Sequence, residues 1–340
     1  MPNPVRVAVN GFGRIGEMFL RTVLRDPSGI QVVAINDLAS LDQIEYLLRY
    51  DSVHPAPPAD IRSGPGWMQV DGTEVRIFGV RDPAALPWKD LEVDIVVEAT
   101  GVFESREGMA KHLEAGAKKV VLTSPAKDGG ADLTVCMGVN HTRYDPQAHH
   151  LISNASCTTN CLAPVVRVID ETLGLSWGLM STVHAYTGTQ ALVDKADRDM
   201  RRGRAAALNI VPSSTGAARA IGEVLGHLKG KIDGLAYRVP VPDGSITDLV
   251  FQTEQPFTRD SLHDLFDRAA ADPSYCGVLA TSRAPLVSSD ILGDPHSAIV
   301  DITSTLVLGD RTAKVLAWYD NEWGYACRVR DLVAMVGGRM

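Results

Sequence analysis

"VRVAVNGFGRIG", Val5 to Gly16, decides how the first half of this 340-residue chain folds. Its opening six residues, Val5 to Asn10, form a short β-branched run that predicts a strand. Glycines follow at once at 11, 13 and 16, in the spacing G-x-G-x-x-G. Behind them Ile15, Met18, Phe19, Thr22 and Val23 keep to one helical face. The glycines therefore stand between a strand and a helix, the context in which this spacing takes a dinucleotide. Gly11 permits the tight turn, Gly13 lets backbone approach a pyrophosphate, and Gly16 lets the helix pack closely on the strand. The helix start offers free N–H groups to the anion. A second strand, "QVVAIND", ends at Asp37, where a carboxylate for the ribose hydroxyls is expected.

The alternation continues outward. "VDIVVEATG" reads as a strand ending in a polar turn, "SREGMAKHLEAGA" as a helix and "KKVVLTSPA" as the next strand, with "LTVCMGVN" and "HLISNA" as two more. This is a doubly wound α/β pattern. Thr100, Gly101 and Thr123 fall at the carboxyl ends of strands, the edge where such sheets bind ligands. The Pro- and Gly-rich stretch "HPAPPADIRSGPGW" reads as a surface loop or irregular excursion.

The length suits about two domains. Lys and Arg number 33 against 41 Asp and Glu, a net charge of −8 that argues against nucleic acid as the main partner. The five cysteines, Cys136, Cys157, Cys161, Cys276 and Cys327, form no regular framework and suggest reduced thiols in a cytoplasmic compartment. No segment has the uninterrupted apolar length of a membrane span. The opening residues do not resemble a secretory signal.

The second half carries the chemistry. "SNASCTTNC", Ser153 to Cys161, sets two thiols among polar residues. Leu162, Val165, Val166, Ile169 and Leu173 then recur at helical spacing, with Gly174 as the C-cap, so a helix starts near Cys157. A thiol at a helix start meets free N–H groups and the positive dipole end, which favour its thiolate. Cys161, one turn on, reads as a buried structural thiol, since C-x-x-x-C without a second pair is a poor metal signature. Pro164 falls just past the first turn, where it can bend the axis. His184, in "STVHAYTGTQ", stands where an apolar strand turns polar and is the candidate partner of the thiol. Arg198, Arg201, Arg202 and Arg204 form a basic cluster, open to reading as a solvated face, a nucleic-acid patch, which the net negative charge disfavours, or a phosphate site. "SSTGAA" before a helix suits an anion cradle or a plain N-cap. Arg238 at a strand end offers a phosphate fork or a surface ion pair.

Taken in order, "NGFGRIG", "AIND", "YDSVH", "EATGVF", "GVNH", "SNASCTTNCLAP", "TVHAYTGTQ", "RRGRAAALNIVPSSTGAA", "RVPVPDGS" and "WYDNEWGY" closely resemble the phosphorylating glyceraldehyde-3-phosphate dehydrogenases, nearly end to end. The resemblance implies a Rossmann-type NAD-binding domain over 1–156, completed by a C-terminal helix over 320–340. It also implies an α+β catalytic domain over 157–319 with a mainly antiparallel sheet, and a cytoplasmic homotetramer without a metal. By that resemblance Cys157 is the nucleophile and His184 its base. Arg14, Ile15, Asp37, Arg81, Thr123, Asn321 and Tyr325 would hold NAD, beside Gly11, Gly13, Gly16, Thr100 and Gly101. Thr187 and Arg238 would meet the phosphate of glyceraldehyde 3-phosphate. Ser156, Thr158, Thr215 and Gly216 would meet inorganic phosphate, with Arg202 contributing to these sites. The implied reaction passes through a hemithioacetal and a thioester.

Two departures stand out. Thr189 replaces an Asp that many bacterial relatives carry near the substrate phosphate, which predicts only tuned phosphate affinity. Lys195-Ala196 stands where NAD-specific relatives often have Leu-Pro. A lysine there attracts a 2′-phosphate that Asp37 repels, so NAD is expected to be preferred with some tolerance of NADP. The near alternative, erythrose-4-phosphate dehydrogenase, usually lacks the threonine at Thr187 and the "STG" at Ser214 to Gly216, both present here. A cofactor-binding protein with a second, RNA-binding role is the alternative from another class; the intact polar constellations argue against lost catalysis.

Overall fold

The opening run forms strand β1 (Val5–Asn10), and the glycine turn leads directly into helix α1 (Arg14–Arg25), as the spacing predicts. A computed structural model describes residues 4–340, which divide into two compact units. The first comprises residues 4–135, 141–156 and 326–340. Its remaining elements are β2 (Ile30–Asn36), α2 (Leu41–Arg49), β3 (Ile61–Gly64), β4 (Trp67–Val70), β5 (Thr73–Phe78), β6 (Ile95–Glu98), α3 (Arg106–Glu114), β7 (Lys119–Leu122), β8 (Leu133–Thr134) and β9 (Leu151–Ser153). They build one nine-stranded sheet in the order β3-β4-β5-β2-β1-β6-β7-β9-β8. The pairs β2–β5, β1–β2, β1–β6, β6–β7, β7–β9 and β8–β9 are parallel. Strands β6 and β7 are buried along their whole length, as parallel strands covered on both faces must be.

Gly11 turns the chain with φ +94°, and a Cβ there would lie 2.7 Å from the backbone nitrogen of Thr100. A Cβ on Gly16 would lie 2.0 Å from the carbonyl oxygen of Gly11. The first and third glycines of the motif are thus steric requirements of the turn itself.

Two expectations need correction. The stretch read as irregular opens a hairpin: β3 and β4 pair antiparallel from Ile61 to Val70. Its turn runs through Gly66 at φ +78°, and Gly64 leaves room for the Trp67 ring, which a Cβ would meet at 2.5 Å. "LTVCMGVN" pairs only at Leu133–Thr134, and Cys136–Asn140 groups with the other unit. There the side-chain oxygen of Asn140 accepts from the backbone N–H of Cys136, closing a turn.

The second unit, residues 136–140 and 157–325, opens on helix α4 (Cys157–Leu173). It continues through β10 (Leu175–Ala185), β11 (Val211–Ser214), α5 (Ala217–Val224), β12 (Ile232–Val239), β13 (Ser245–Thr253), α6 (Arg259–Ala271), β14 (Leu279–Ser282), β15 (Ala298–Leu308), β16 (Thr312–Tyr319) and the start of α7 (Trp323–Gly337). The seven strands lie in the order β11-β12-β10-β13-β16-β15-β14. Four of the six neighbouring pairs are antiparallel. Burial alternates strictly along β13 and β16, the signature of a sheet with one covered face. Helices α4 and α6 pack on the sheet.

Helix α4 begins at Cys157 and ends before Gly174, which takes φ +66° as a C-cap. Pro164 lies inside it. Just ahead, Ala155 adopts a left-handed φ of 54°, a conformation costing an alanine about 1 kcal/mol. The chain accepts that strain to turn sharply from β9 into α4.

Candidate active site

The second unit sets the cysteine against the histidine. Cys157 is the first residue of α4 and is partly exposed, whereas His184, near the end of β10, is buried. Cys157 Sγ lies 3.5 Å from His184 Nε2. The other ring nitrogen, Nδ1, lies 2.7 Å from the carbonyl oxygen of Ala185 and 2.7 Å from Arg238 Nη1. Arg238 Nη1 also donates to that same carbonyl at 3.0 Å. The arginine arrives by register, because His184 and Arg238 are lateral partners in the parallel pairing of β10 with β12. Nδ1 thus meets an acceptor, the Ala185 carbonyl, and a donor, the Arg238 guanidinium, while Nε2 faces the sulfur.

Burial, reinforced by the Arg238 charge, pushes the His184 imidazolium down to about 3. The ring is therefore neutral at rest. The thiol contradicts the expectation of a favoured thiolate. Burial pushes Cys157 up, against the Arg238 charge and the hydroxyl and backbone N–H of Thr158, which pull it down. The helix start is present, but dehydration of the sulfur outweighs it.

Tyr319 braces the pair. Its hydroxyl lies 2.9 Å from both Thr158 Oγ1 and Thr182 Oγ1, and its ring meets His184 edge-on at 5.9 Å. Thr158, expected to face a phosphate, has its hydroxyl shared between Cys157 and Tyr319 in this structure. Cys161 is fully buried, 3.3 Å from Thr247 Oγ1, and burial drives its thiol up to about 12. That is an inert structural thiol.

Asn321 is buried and accepts a 2.5 Å hydrogen bond from Ser245 Oγ, which in turn accepts from the backbone N–H of Ala185. One short chain thus ties the histidine strand to Asn321. Tyr325 is buried within α7. Thr187 and Thr189 place their hydroxyls 2.9 Å apart. Thr215 Oγ1 accepts from the N–H of Ala217, and Gly216 follows as the exposed N-cap of α5 with open space where a Cβ would be. Arg202 stands 3.6 Å from Asp199 and Arg204 2.8 Å from Asp194, so the basic cluster is partly neutralised by its own loop.

The first unit holds the other half of the expected site. A cavity of about 410 Å³ is lined by Gly11, Gly13, Asp37, Arg81 and Thr100, all read from the sequence, together with Asn10, Asn36 and Phe103. Gly13 has open space where a Cβ would stand, and no side chain caps the start of α1. The uncapped N–H groups and bare glycine surface fit a pyrophosphate. Asp37 Oδ2 accepts from the N–H of Phe12 at 2.6 Å and Oδ1 from that of Ala39 at 2.8 Å, so its carboxylate is pinned at the cavity edge. Arg14 turns to Asp51, an acid the sequence reading passed over, and lies 3.8 Å from Glu17. Ile15 is half-buried and Gly16 buried behind the turn. Thr123 donates its hydroxyl to the carbonyl oxygen of Glu98. Ser156, half-buried, directly precedes Cys157, and Gly101 turns the chain at φ +69° outside the cavity lining.

A dinucleotide-binding unit of parallel strands, joined in one chain to a unit that aims a cysteine at a histidine, defines a class: the NAD-dependent oxidoreductases. Comparison with known proteins narrows the class. Residues 5–106 match the family described as glyceraldehyde 3-phosphate dehydrogenase, NAD binding domain, and residues 156–321 its C-terminal domain. Glyceraldehyde-3-phosphate dehydrogenase 2 of Bacillus subtilis (strain 168) is 50% identical over 336 residues, spanning 99% of this chain and 98% of the relative. The Geobacillus stearothermophilus enzyme is 48% identical over 335 residues, spanning 98% and 99% respectively. The chain belongs to the glyceraldehyde-3-phosphate dehydrogenase family.

Proposed function

We propose that this chain oxidises D-glyceraldehyde 3-phosphate with NAD and inorganic phosphate to 1,3-bisphosphoglycerate, through a thioester on Cys157. The observation that carries the reading is the 3.5 Å approach of Cys157 Sγ to a neutral His184 Nε2. In this reading Nε2 takes the thiol proton as sulfur adds to the aldehyde carbon, and returns it to the carbonyl oxygen, giving a hemithioacetal. NAD, when bound, supplies the acceptor for the two electrons lost by that carbon. His184 removes the hydroxyl proton in the same oxidation, and the C–S bond becomes a thioester. The backbone N–H at the start of α4 and the imidazole stabilise the developing oxyanion. A phosphate oxygen then attacks the acyl carbon, the C–S bond breaks, and the departing sulfur takes the proton held by His184, restoring the thiol. Thr187 and Arg238 are assigned to the substrate phosphate. Ser156, Thr158, Thr215 and Gly216 are assigned to the attacking phosphate, with Arg202 assisting.

Residues 1–156 with 320–340 serve as the cofactor domain and 157–319 as the catalytic domain. Gly11, Gly13, Arg14, Ile15, Gly16, Asp37, Arg81, Thr100, Gly101 and Thr123 hold NAD, and Asn321 and Tyr325 its nicotinamide end. The enzyme works in the cytoplasm as a homotetramer. Large apolar side chains left bare on this chain, Leu192 at 81%, Met200 at 87% and Leu208 at 82% exposure, support burial between copies.

The test is NAD reduction on glyceraldehyde 3-phosphate, with and without phosphate, beside Cys157→Ser. Phosphate-dependent turnover that vanishes in the variant is expected. Turnover preserved in Cys157→Ser refutes the reading, and faster turnover on erythrose 4-phosphate transfers it to the neighbouring activity.

A further inference from the structure

Beneath the first unit's cavity runs a buried chain of polar side chains that the mechanism does not use. The Trp88 indole N–H donates to His112 Nδ1 at 3.1 Å. An indole can only donate. His112 Nδ1 is therefore bare, and the proton sits on Nε2, which points at Glu98 Oε2 at 2.9 Å. Asn10 Nδ2 donates to the same oxygen at 2.6 Å. Glu98 Oε1 accepts from the backbone N–H of Thr100 at 2.8 Å and from its hydroxyl. Four donors converge on this carboxyl group, the pattern of an ionised carboxylate. Asn10 Oδ1 accepts from Asn36 Nδ2 at 2.7 Å. Asn36 closes the chain on Val80, donating to its carbonyl at 2.9 Å and accepting from its N–H at 2.8 Å.

Trp88, His112, Glu98 and Asn10 are 0% exposed. Asn10, Asn36, Val80 and Thr100 all line the cavity. Each end of the chain is fixed in polarity, an indole at one and a peptide at the other. With His112 protonated on Nε2, each amide between them has one orientation that serves the bonds to Glu98, Asn36 and Val80, and Asn10 Nδ2 and His112 Nε2, 3.4 Å apart, both point to Glu98.

We infer that Glu98 is a positioning residue for the dinucleotide: its charge locks the carboxyl ends of β1, β2 and β6 into one cavity shape before the cofactor arrives. The inference rests on the reading of this cavity as the NAD site. It follows from polarity alone. In Glu98→Gln, an amide nitrogen in the place of Oε1 meets the Thr100 N–H; in the other orientation it faces the Asn10 amide and the His112 N–H, donor against donor. Rotating Asn10 relieves that contact but sets its amide against that of Asn36. Rotating Asn36 in turn sets its amide against the N–H of Val80, which cannot rotate. Either orientation delivers the conflict to the cavity wall, at Thr100 or at Val80 beside Arg81.

The experiment is NAD binding by calorimetry to the full-length apoprotein, well below its melting temperature, for wild type, Glu98→Gln and Asp37→Ala. We expect Kd to rise at least tenfold in Glu98→Gln, while the alkylation rate of Cys157 without cofactor stays at the wild-type value. A buried group with a merely structural role lowers the melting temperature and leaves Kd alone, and that result overturns the inference. Should Asp37→Ala also bind NAD as wild type does, the cavity reading falls and takes this inference with it. If Glu98→Gln does not fold, Trp88→Phe keeps the carboxylate and removes the indole donor to His112, at the cost of a cavity in the core. A two- to fivefold rise in Kd is then expected, and an unchanged Kd overturns the inference.

Discussion

Replacing Tyr319 by phenylalanine deletes one oxygen and tests whether the bracing of the Cys157–His184 pair is energetic. That oxygen lies 2.9 Å from Thr158 Oγ1, beside the cysteine, and 2.9 Å from Thr182 Oγ1, two residues before the histidine. Thr182 also reaches the carbonyl of Ile246 at 3.3 Å. Either hydroxyl of each pair can donate, so the three hydroxyls satisfy one another. All three side chains are buried, so water cannot replace the lost oxygen without opening the core. Two hydrogen bonds at about 1 kcal/mol each give a loss of about 2 kcal/mol. For a unit of this size that lowers the melting temperature by about 4–8 °C. The strand and helix that present the imidazole and the sulfur lose a shared tether, so kcat should fall several-fold with the KM for NAD unchanged. Thermal melts and steady-state NAD reduction read both effects. A double-mutant cycle with Thr182→Val isolates the bond, with a coupling of about 1 kcal/mol expected. Additive losses, or a Tyr319→Phe enzyme that melts and turns over like wild type, refute the reasoning.

Three further outcomes follow from the geometry. The Asp51 carboxyl, which burial alone would raise, is pulled down to about 2 by Arg14 and the N–H groups of His54 and Val53. A folded value below the unfolded one stabilises above about pH 4 and is lost as pH falls toward 2. Discounted for the half-exposed Arg14, Asp51→Asn should cost about 1–2 kcal/mol at pH 7 in urea melts. The two proteins should converge in stability near pH 2; a constant gap across that range contradicts the assignment. Gly16→Ala drives a methyl group into the Gly11 carbonyl at 2.0 Å and Val9 Cγ1 at 3.2 Å. It should destabilise by about 3 kcal/mol and abolish measurable NAD binding, whereas a normal titration would show that the turn can relax. Asp37 is pinned by two backbone N–H groups, so it cannot swing away from a 2′-phosphate. NAD should win, with NADP turnover detectable through Lys195 and increased in Asp37→Ser. An NADP/NAD ratio of kcat/KM below about one in a thousand, about 4 kcal/mol, removes the tolerance.

The glycine motif was fully legible because its physics is local. Turn, close approach and helix packing are decided within twelve residues, and clashes of 2.0 and 2.7 Å at Gly16 and Gly11 bear that out. The start of α4 at Cys157 was legible for the same reason, from helical spacing and a C-cap glycine. The hairpin at Ile61 was hidden because its prolines and glycines carry the same composition as a loop. Glu98 gave one faint signal, an acid ending an apolar run, "IVVE". Its partners Asn10, His112 and Trp88 lie on three other segments, and nothing local to any of them announces the chain. Tyr319 was passed over inside a motif read only for its neighbours. Arg238 was foreseen as a phosphate fork, but its place beside His184 comes from the β10–β12 register, which no single segment encodes.

The cysteine shows where such reading must stop. A helix start raises thiolate character through N–H groups that belong to the same dozen residues, so its sign can be read along the chain. Dehydration of the sulfur comes instead from remote segments: strands β10, β13 and β16, joined in one sheet, bring His184, Thr182 and Tyr319 to the site. Here dehydration is the larger influence, and the thiol moves up although Arg238 and Thr158 pull it down. The same burial and the same guanidinium push the imidazolium down to about 3. Both shifts favour the uncharged forms of the two groups. In the proposed reaction, charge develops as sulfur meets carbonyl carbon, beside the N–H groups of the helix start. A preformed thiolate would already have drawn part of that stabilisation in the ground state, where it accelerates nothing.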